Sequence, residues 1–168
     1  SSLLGDAGRG MVRLLKRASK LPGAAPIVWR NHSQLAKKRA LSIQYSRGKE
    51  LKAQLYRDLI GATRANVAAL RCAEQSLADC PAIEAELWHC QVKHYLPLIE
   101  RLISQAERRV LAGEAVPAGE KLVSLFETHA DIIVKGGRDV HYGHKLNLAT
   151  GRSGMILDIV IEAGNPAD

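Results

Sequence analysis

Ala130-Asp131-Ile132-Ile133-Val134-Lys135-Gly136-Gly137-Arg138-Asp139 is the stretch on which the fold turns. Asp131 to Lys135 is a β-like run, and Gly136-Gly137-Arg138-Asp139 is a turn behind it. Downstream, Val140 to Leu148 alternates in part, and Ala149 to Gly154 reads as a loop. A last strand is expected from Met155 to Glu162. There Met155, Leu157, Ile159 and Ile161 share one face, while Ile156, Asp158, Val160 and Glu162 share the other. One face is wholly apolar and the other half apolar, a pattern that suits a strand covered by helices on at least one side.

Upstream, the period changes from two to about 3.6. Leu3 to Lys20 predicts a helix with Leu4, Met11, Leu14, Leu15 and Ala18 as its stripe. Gly5, Gly8 and Gly10 weaken its first turns by roughly 1 kcal/mol each relative to Ala, so fraying is expected there. Leu21 to Pro26 breaks the pattern. Asn31 or Ser33 can cap a second helix that carries Leu35, Leu41 and Ile43 and reaches about Arg47. Gly48 either interrupts the helical pattern or is run through. Leu51, Leu55, Leu59, Ala62, Ala69 and Leu70 continue the period to about Ala78, where Asp79-Cys80-Pro81 forces a turn. The next helix spans Ala82 to Ala112, anchored by Leu87, Val92, Leu98, Leu102 and Val110, with a kink expected at Pro97 and a stop at Gly113. These two long helices read as an antiparallel hairpin, with Trp88 and Tyr95 in the core or seam. The chain therefore reads as α+β, with a helical part over 1–117 and a strand part over 118–168.

The 168 residues carry 24 Lys+Arg and 17 Asp+Glu, a net charge of +7. The excess is local: residues 1–52 hold 12 basic residues against Asp6 and Glu50, while the remainder has a net of −3. Such segregation favours a phosphate backbone or an acidic protein face as partner. A solvated helix face paired with acids elsewhere in the fold is the alternative. No apolar run approaches the ~20 residues that span a bilayer, and no signal-peptide core opens the chain, which argues against membrane and secreted classes. Cys72, Cys80 and Cys90 lack disulfide-framework spacing and fit buried or idle thiols in a reducing cytoplasm. Cys90 and His94 share a helical face, but no second ligand pair completes a zinc set.

Catalytic motifs are sparse. Gly136-Gly137 and Gly151 to Gly154 lie between strands rather than before a helix, so neither is a phosphate loop. No G-x-S-x-G elbow is present. His141 and His144, at i and i+3 in an extended strand, face opposite sides. Asp158 is a candidate ligand for a two-metal site, against an ordinary ion pair with Lys145 or Arg152. Glu162 lies roughly 13 Å along the strand, too far to share one metal with it.

Several segments together are specific: Lys121-Leu122-Val123-Ser124-Leu125-Phe126-Glu127, Ala130 to Asp139, Tyr142-Gly143-His144-Lys145-Leu146-Asn147-Leu148 and Gly164-Asn165-Pro166-Ala167-Asp168. With Ser1-Ser2-Leu3-Leu4, Met11 to Leu15, Trp29-Arg30-Asn31-His32 and Ile43-Gln44-Tyr45, they resemble bacterial insertion-sequence transposases of the DDE type, nearest the ISNCY-like group. The resemblance covers nearly the whole chain and is least specific in the helical hairpin. It implies a partial ribonuclease H-like fold: a large helical insertion followed by antiparallel strands, taken from the interior of a longer enzyme.

In that family three acidic residues and two Mg²⁺ (or Mn²⁺) ions cleave DNA at the element end and join it to target DNA. None of the three acids maps onto this chain. The resemblance thus implies no catalytic residue and no metal ligand here, Asp158 and Asp168 included, and an isolated chain without cleavage activity. It implies DNA contacts from Arg30, Lys37, Lys38 and Arg39 in the helical part, and from Lys135, Arg138, His144 and Lys145 near the sheet. The implied partners are element-end and target DNA and further copies of the parent, with no membrane, in the bacterial cytoplasm at the nucleoid. Gly5, Gly8 and Gly10 depart from the family, which tends to larger apolar residues there, and Thr128 stands where Pro is frequent. The competing readings are a non-catalytic helical module that docks on nucleic acid or an acidic protein, and an inert pseudogene product.

Overall fold

The computed structural model describes residues 2–22, 27–135 and 139–162, and the chain divides into two units, 1–117 and 118–168. Helix and strand are segregated, as in an α+β chain: four helices in the first unit and two small antiparallel sheets in the second. No helix among the described residues is long and apolar enough to cross a membrane.

The first unit is organised around α1 (Ser2–Ala18), against which α2 (Ser33–Tyr45), α3 (Lys49–Ser76) and α4 (Ile83–Ala106) all pack. Leu4, Met11, Leu14, Leu15 and Ala18 recur at helical spacing, and all five are buried. Trp88 of α4 is completely buried, and its indole Nε1–H donates to the Leu14 carbonyl at 2.8 Å. An indole can enter an apolar core at little polar cost only when its single donor is satisfied in this way.

The glycines of α1 have a packing role. Gly5 and Gly8 face α2, where a Cβ added to either would lie 3.9 Å from Ala40 Cβ or Ala36 Cβ. Small residues on both helices form the seam, and the helix is continuous from Ser2. That spacing is ordinary van der Waals contact, so alanine fits without a clash. Gly5→Ala and Gly8→Ala are each expected to stabilise the protein by up to about 1 kcal/mol, through helix propensity and reduced unfolded-state entropy. Urea unfolding midpoints measure this; a fall in midpoint for both variants would mean that the two helices are closer than described.

Asn31 Oδ1 accepts the Ser33 backbone N–H at 3.0 Å in a turn ahead of α2. The residue at the cap position is His32, which makes no side-chain capping bond, so neither Asn31 nor Ser33 caps the helix as expected. The inward face of α2 is Ala36 and Ile43, while Leu35 and Leu41 are exposed. The helix ends at Tyr45, short of Arg47, and Gly48 is extended, so it separates α2 from α3. The α3–α4 hairpin is antiparallel. Arg71 pairs with Glu100, and seven residues earlier on α3 Arg64 pairs with Glu107, seven residues later in the chain, at 2.9 Å. Leu51 and Leu87, expected as anchors, are exposed on the outer faces of the hairpin. α4 runs through Pro97 and continues into a π-helical turn over Glu107–Leu111. Gly113, at φ 73°, closes it with Glu114 N–H bonded to the Arg108 carbonyl at 2.8 Å.

In the second unit a 3₁₀ turn (Ala118–Glu120) leads into an irregular segment in which Leu122 and Leu125 are buried and Phe126 is exposed. Ser124 Oγ accepts the N–H groups of Phe126 and Glu127, which turns the chain there. β1 (Asp131–Lys135) pairs antiparallel with β2 (Asp139–Gly143), and β3 (Lys145–Thr150) pairs with β4 (Ile156–Glu162). The strands form two separate ribbons instead of one sheet. Gly143 at φ 153° sits at the junction, a backbone value that side-chain-bearing residues rarely adopt. The expectation that β4 is covered on one side fails among the described residues. Ile156, Leu157, Ile159, Val160 and Ile161 are all 46–67% exposed, because a two-stranded ribbon has no second layer.

Candidate nucleic-acid interface

The close approach of α1 and α2 across Gly5 and Gly8 leaves a shallow groove of about 530 Å³ on the outer side of the helix pair. Arg9 and Arg13 of α1 and Lys37 and Gln44 of α2 line it, with the exposed Leu41 between them. Arg9 is tied to Asp6 one turn earlier. Arg13 and Lys37 have no carboxylate within 4 Å among the described residues and remain available for an anion. Their charge converges from residues 24 positions apart, which a linear reading of the basic stretch does not show. Arg9 and Arg13 were absent from the expected contact set. The usable signal is their i, i+4 spacing behind Gly5, which puts them on the same side of α1 as the glycine.

The expected contacts divide. Arg30 is exposed in the segment before α2, and Lys37 and Lys38 are exposed on α2. Arg39 lies on α2 with its Nε 2.9 Å from Asp58 Oδ2 on α3, although the N–H is not aimed as in a hydrogen bond. Its charge is largely used in joining α2 to α3, because α2 packs that side against α3. In the strand unit Lys135 lies in β1 with its side chain outside the described residues, and Arg138 lies outside them altogether. His144 stacks on His129 with ring centres 4.9 Å apart, and its Nδ1 is 3.8 Å from Asp131 Oδ2. Lys145 lies opposite Glu162 in the β3–β4 ladder.

The remaining chemistry-bearing residues stay apart. Asp158 lies opposite Ala149, and its Oδ1 accepts the Ile159 N–H at 2.8 Å. Of the two cations expected to pair with Asp158, Lys145 sits four residues along the ladder, roughly 13 Å away, and Arg152 has no carboxylate within 4 Å among the described residues. Cys72 and Cys90 are exposed rather than buried, and Cys80 is half-buried with Sγ 3.1 Å from the Pro22 carbonyl. His94 packs edge-on against Tyr95. Among the described residues no group of three or more His, Cys, Asp or Glu converges as a metal-ligand set. Comparison with protein-family models, curated proteins and solved structures found no match to the chain.

Proposed function

We propose that this chain is the DNA-contacting segment of a DDE-type insertion-sequence transposase, a partial ribonuclease H-like fold with a helical insertion. The observation that carries the DNA-binding part is the α1–α2 groove, where Arg13 and Lys37 have no carboxylate within 4 Å among the described residues; Arg30 and Lys38, outside the groove lining, are exposed as well. The one acid lining the groove, Asp6, is engaged by Arg9, which leaves Arg13 and Lys37 to suit a phosphate backbone, and contacts of that kind are largely independent of base sequence. The assignment to transposases rests on the residue patterns of 121–139 and 142–148 and on the N-terminal segments quoted above. In the longer parent, acting on element ends and target in the bacterial cytoplasm, Mg²⁺ or Mn²⁺ would supply the hydrolytic and strand-transfer chemistry.

Among the described residues no carboxylates are brought together to fit that metal pair. Asp158 and Asp131 are on different ribbons, Asp158 accepts a backbone N–H, and Asp131 faces His144. The role left to this chain is to hold DNA by its backbone. The expected result is binding of a short duplex, measured by fluorescence anisotropy, with no nicking of supercoiled plasmid in the presence of Mg²⁺. Nicking that persists through purification and disappears in Asp158→Ala would place an active site in this chain and overturn the division of labour. Failure to bind duplex at low salt would remove the DNA reading and favour an acidic protein as partner.

A further inference from the structure

A second cationic cavity, of about 430 Å³, lies where the N-terminal turn of α1 meets the start of α3 and the π-helical turn. Lys49, Lys52 and Arg109 line it together with Tyr56 and Gln105, and no acidic side chain does. None of the three cations has a carboxylate within 4 Å among the described residues. The neighbouring Arg108, by contrast, is engaged by Glu114 at 3.0 Å.

The arrangement is electrostatically unfavourable when empty. Lys49 and Lys52 occupy the first turns of α3, a 28-residue helix whose N-terminal dipole already repels positive charge. The residue at the cap position is Gly48, so no side chain caps the first-turn N–H groups. Acidic residues are the usual occupants of such a turn, and here only Glu50 is present. Arg109 adds a third cation from a different element. Consecutive side chains on a helical turn point different ways, and here Arg108 goes to Glu114 while Arg109 lines the cavity. Three converging cations with phenol and amide groups beside them form a site whose repulsion an anion relieves.

We propose that this cavity binds a phosphate group, and that in the DNA complex the group is a backbone phosphate next to those held in the α1–α2 groove. The site stands on its own geometry, while its assignment to DNA rests on the function proposed above. Both cavities flank the first turns of α1: Ser2 and Gly5 line one, Leu3 and Leu4 the other. One strand passing that end of the helix can therefore meet both.

The test uses the whole chain, inorganic phosphate and a short duplex, with Lys49→Gln/Lys52→Gln/Arg109→Gln as the variant and Lys49→Arg/Lys52→Arg as the control that keeps the charge. Phosphate is expected to raise the wild-type thermal midpoint above that in chloride of equal ionic strength. The triple variant should lose that shift, and its duplex affinity should depend less on salt, with the log–log slope smaller by about 0.9, the value for one phosphate contact. The arginine control should retain both properties, and circular dichroism spectra of all three proteins should coincide. A phosphate shift that is absent in the wild type, or survives in the triple variant, overturns the site. Loss of the shift with duplex binding unchanged overturns the assignment to DNA and leaves a free phosphate as ligand. A wild-type chain stabilised by phosphate that binds no duplex would sink the proposed function and keep the site.

Discussion

Trp88→Ala is expected to cost about 3–5 kcal/mol of stability, the largest loss of any single substitution considered. Two effects combine. The indole is wholly buried where α4 packs on α1, so truncation leaves a cavity lined by two helices that cannot fully close around it. The bond from Nε1 to the Leu14 carbonyl is lost as well. Domains of this size have a total stability on the order of 5–15 kcal/mol, so the variant sits near the unfolding threshold. Trp88→Phe separates the two effects, since it retains most of the apolar volume and removes only the donor. Its cost should be about 1–2 kcal/mol, within the range for a lost hydrogen bond plus a small packing defect. Urea unfolding followed by circular dichroism provides both values. Equal costs for the two variants would show that volume at this position is unimportant and that α4 does not pack on α1 as described.

DNA affinity is expected to fall about 150-fold between 50 and 200 mM salt if Arg13, Arg30, Lys37 and Lys38 each neutralise one phosphate, from a log–log slope of about −3.6. Arg13→Gln/Lys37→Gln/Lys38→Gln should reduce that slope by about 2.7 and weaken binding alike for duplexes of different sequence. Arg39→Gln makes the contrast. Its guanidinium is occupied with Asp58, so it should leave the slope nearly unchanged and alter stability by no more than about 1 kcal/mol, as partly exposed ion pairs do. A slope unaffected by the triple substitution would place the DNA elsewhere. A large effect of Arg39→Gln would mean that the ion pair opens when DNA binds.

Much of the helical unit was legible because burial on one face imposes a period. Leu4, Met11, Leu14, Leu15 and Ala18 form that stripe, and Gly113 ends the long helix, each for a reason local to a few residues. Leu51 and Leu87 misled because an apolar residue in a helical pattern reports only a propensity for burial. Whether it is buried depends on which side the neighbouring helix occupies. Gly5 and Gly8 read as weak points of α1 and serve as its contact surface for α2, since helix propensity ignores what lies across the seam. The β-like run from Asp131 to Lys135 was legible as a strand, its expected turn at Gly136 to Arg138 lies outside the described residues, and no hydrophobic period encodes the split into two ribbons.

The candidate site followed the same division. Residue order alone placed the positive charge in the first 52 residues and put helices before strands, because composition and period are local properties of the chain. Which cations remain available was decided in three dimensions. Arg39 meets Asp58, Arg64 meets Glu107 and Arg71 meets Glu100, whereas Arg13 is left beside Lys37, and Lys49 and Lys52 are left beside Arg109. Coulomb attraction acts through distance in space, and only the packing of α1, α2, α3 and α4 sets the distances between charges remote in sequence.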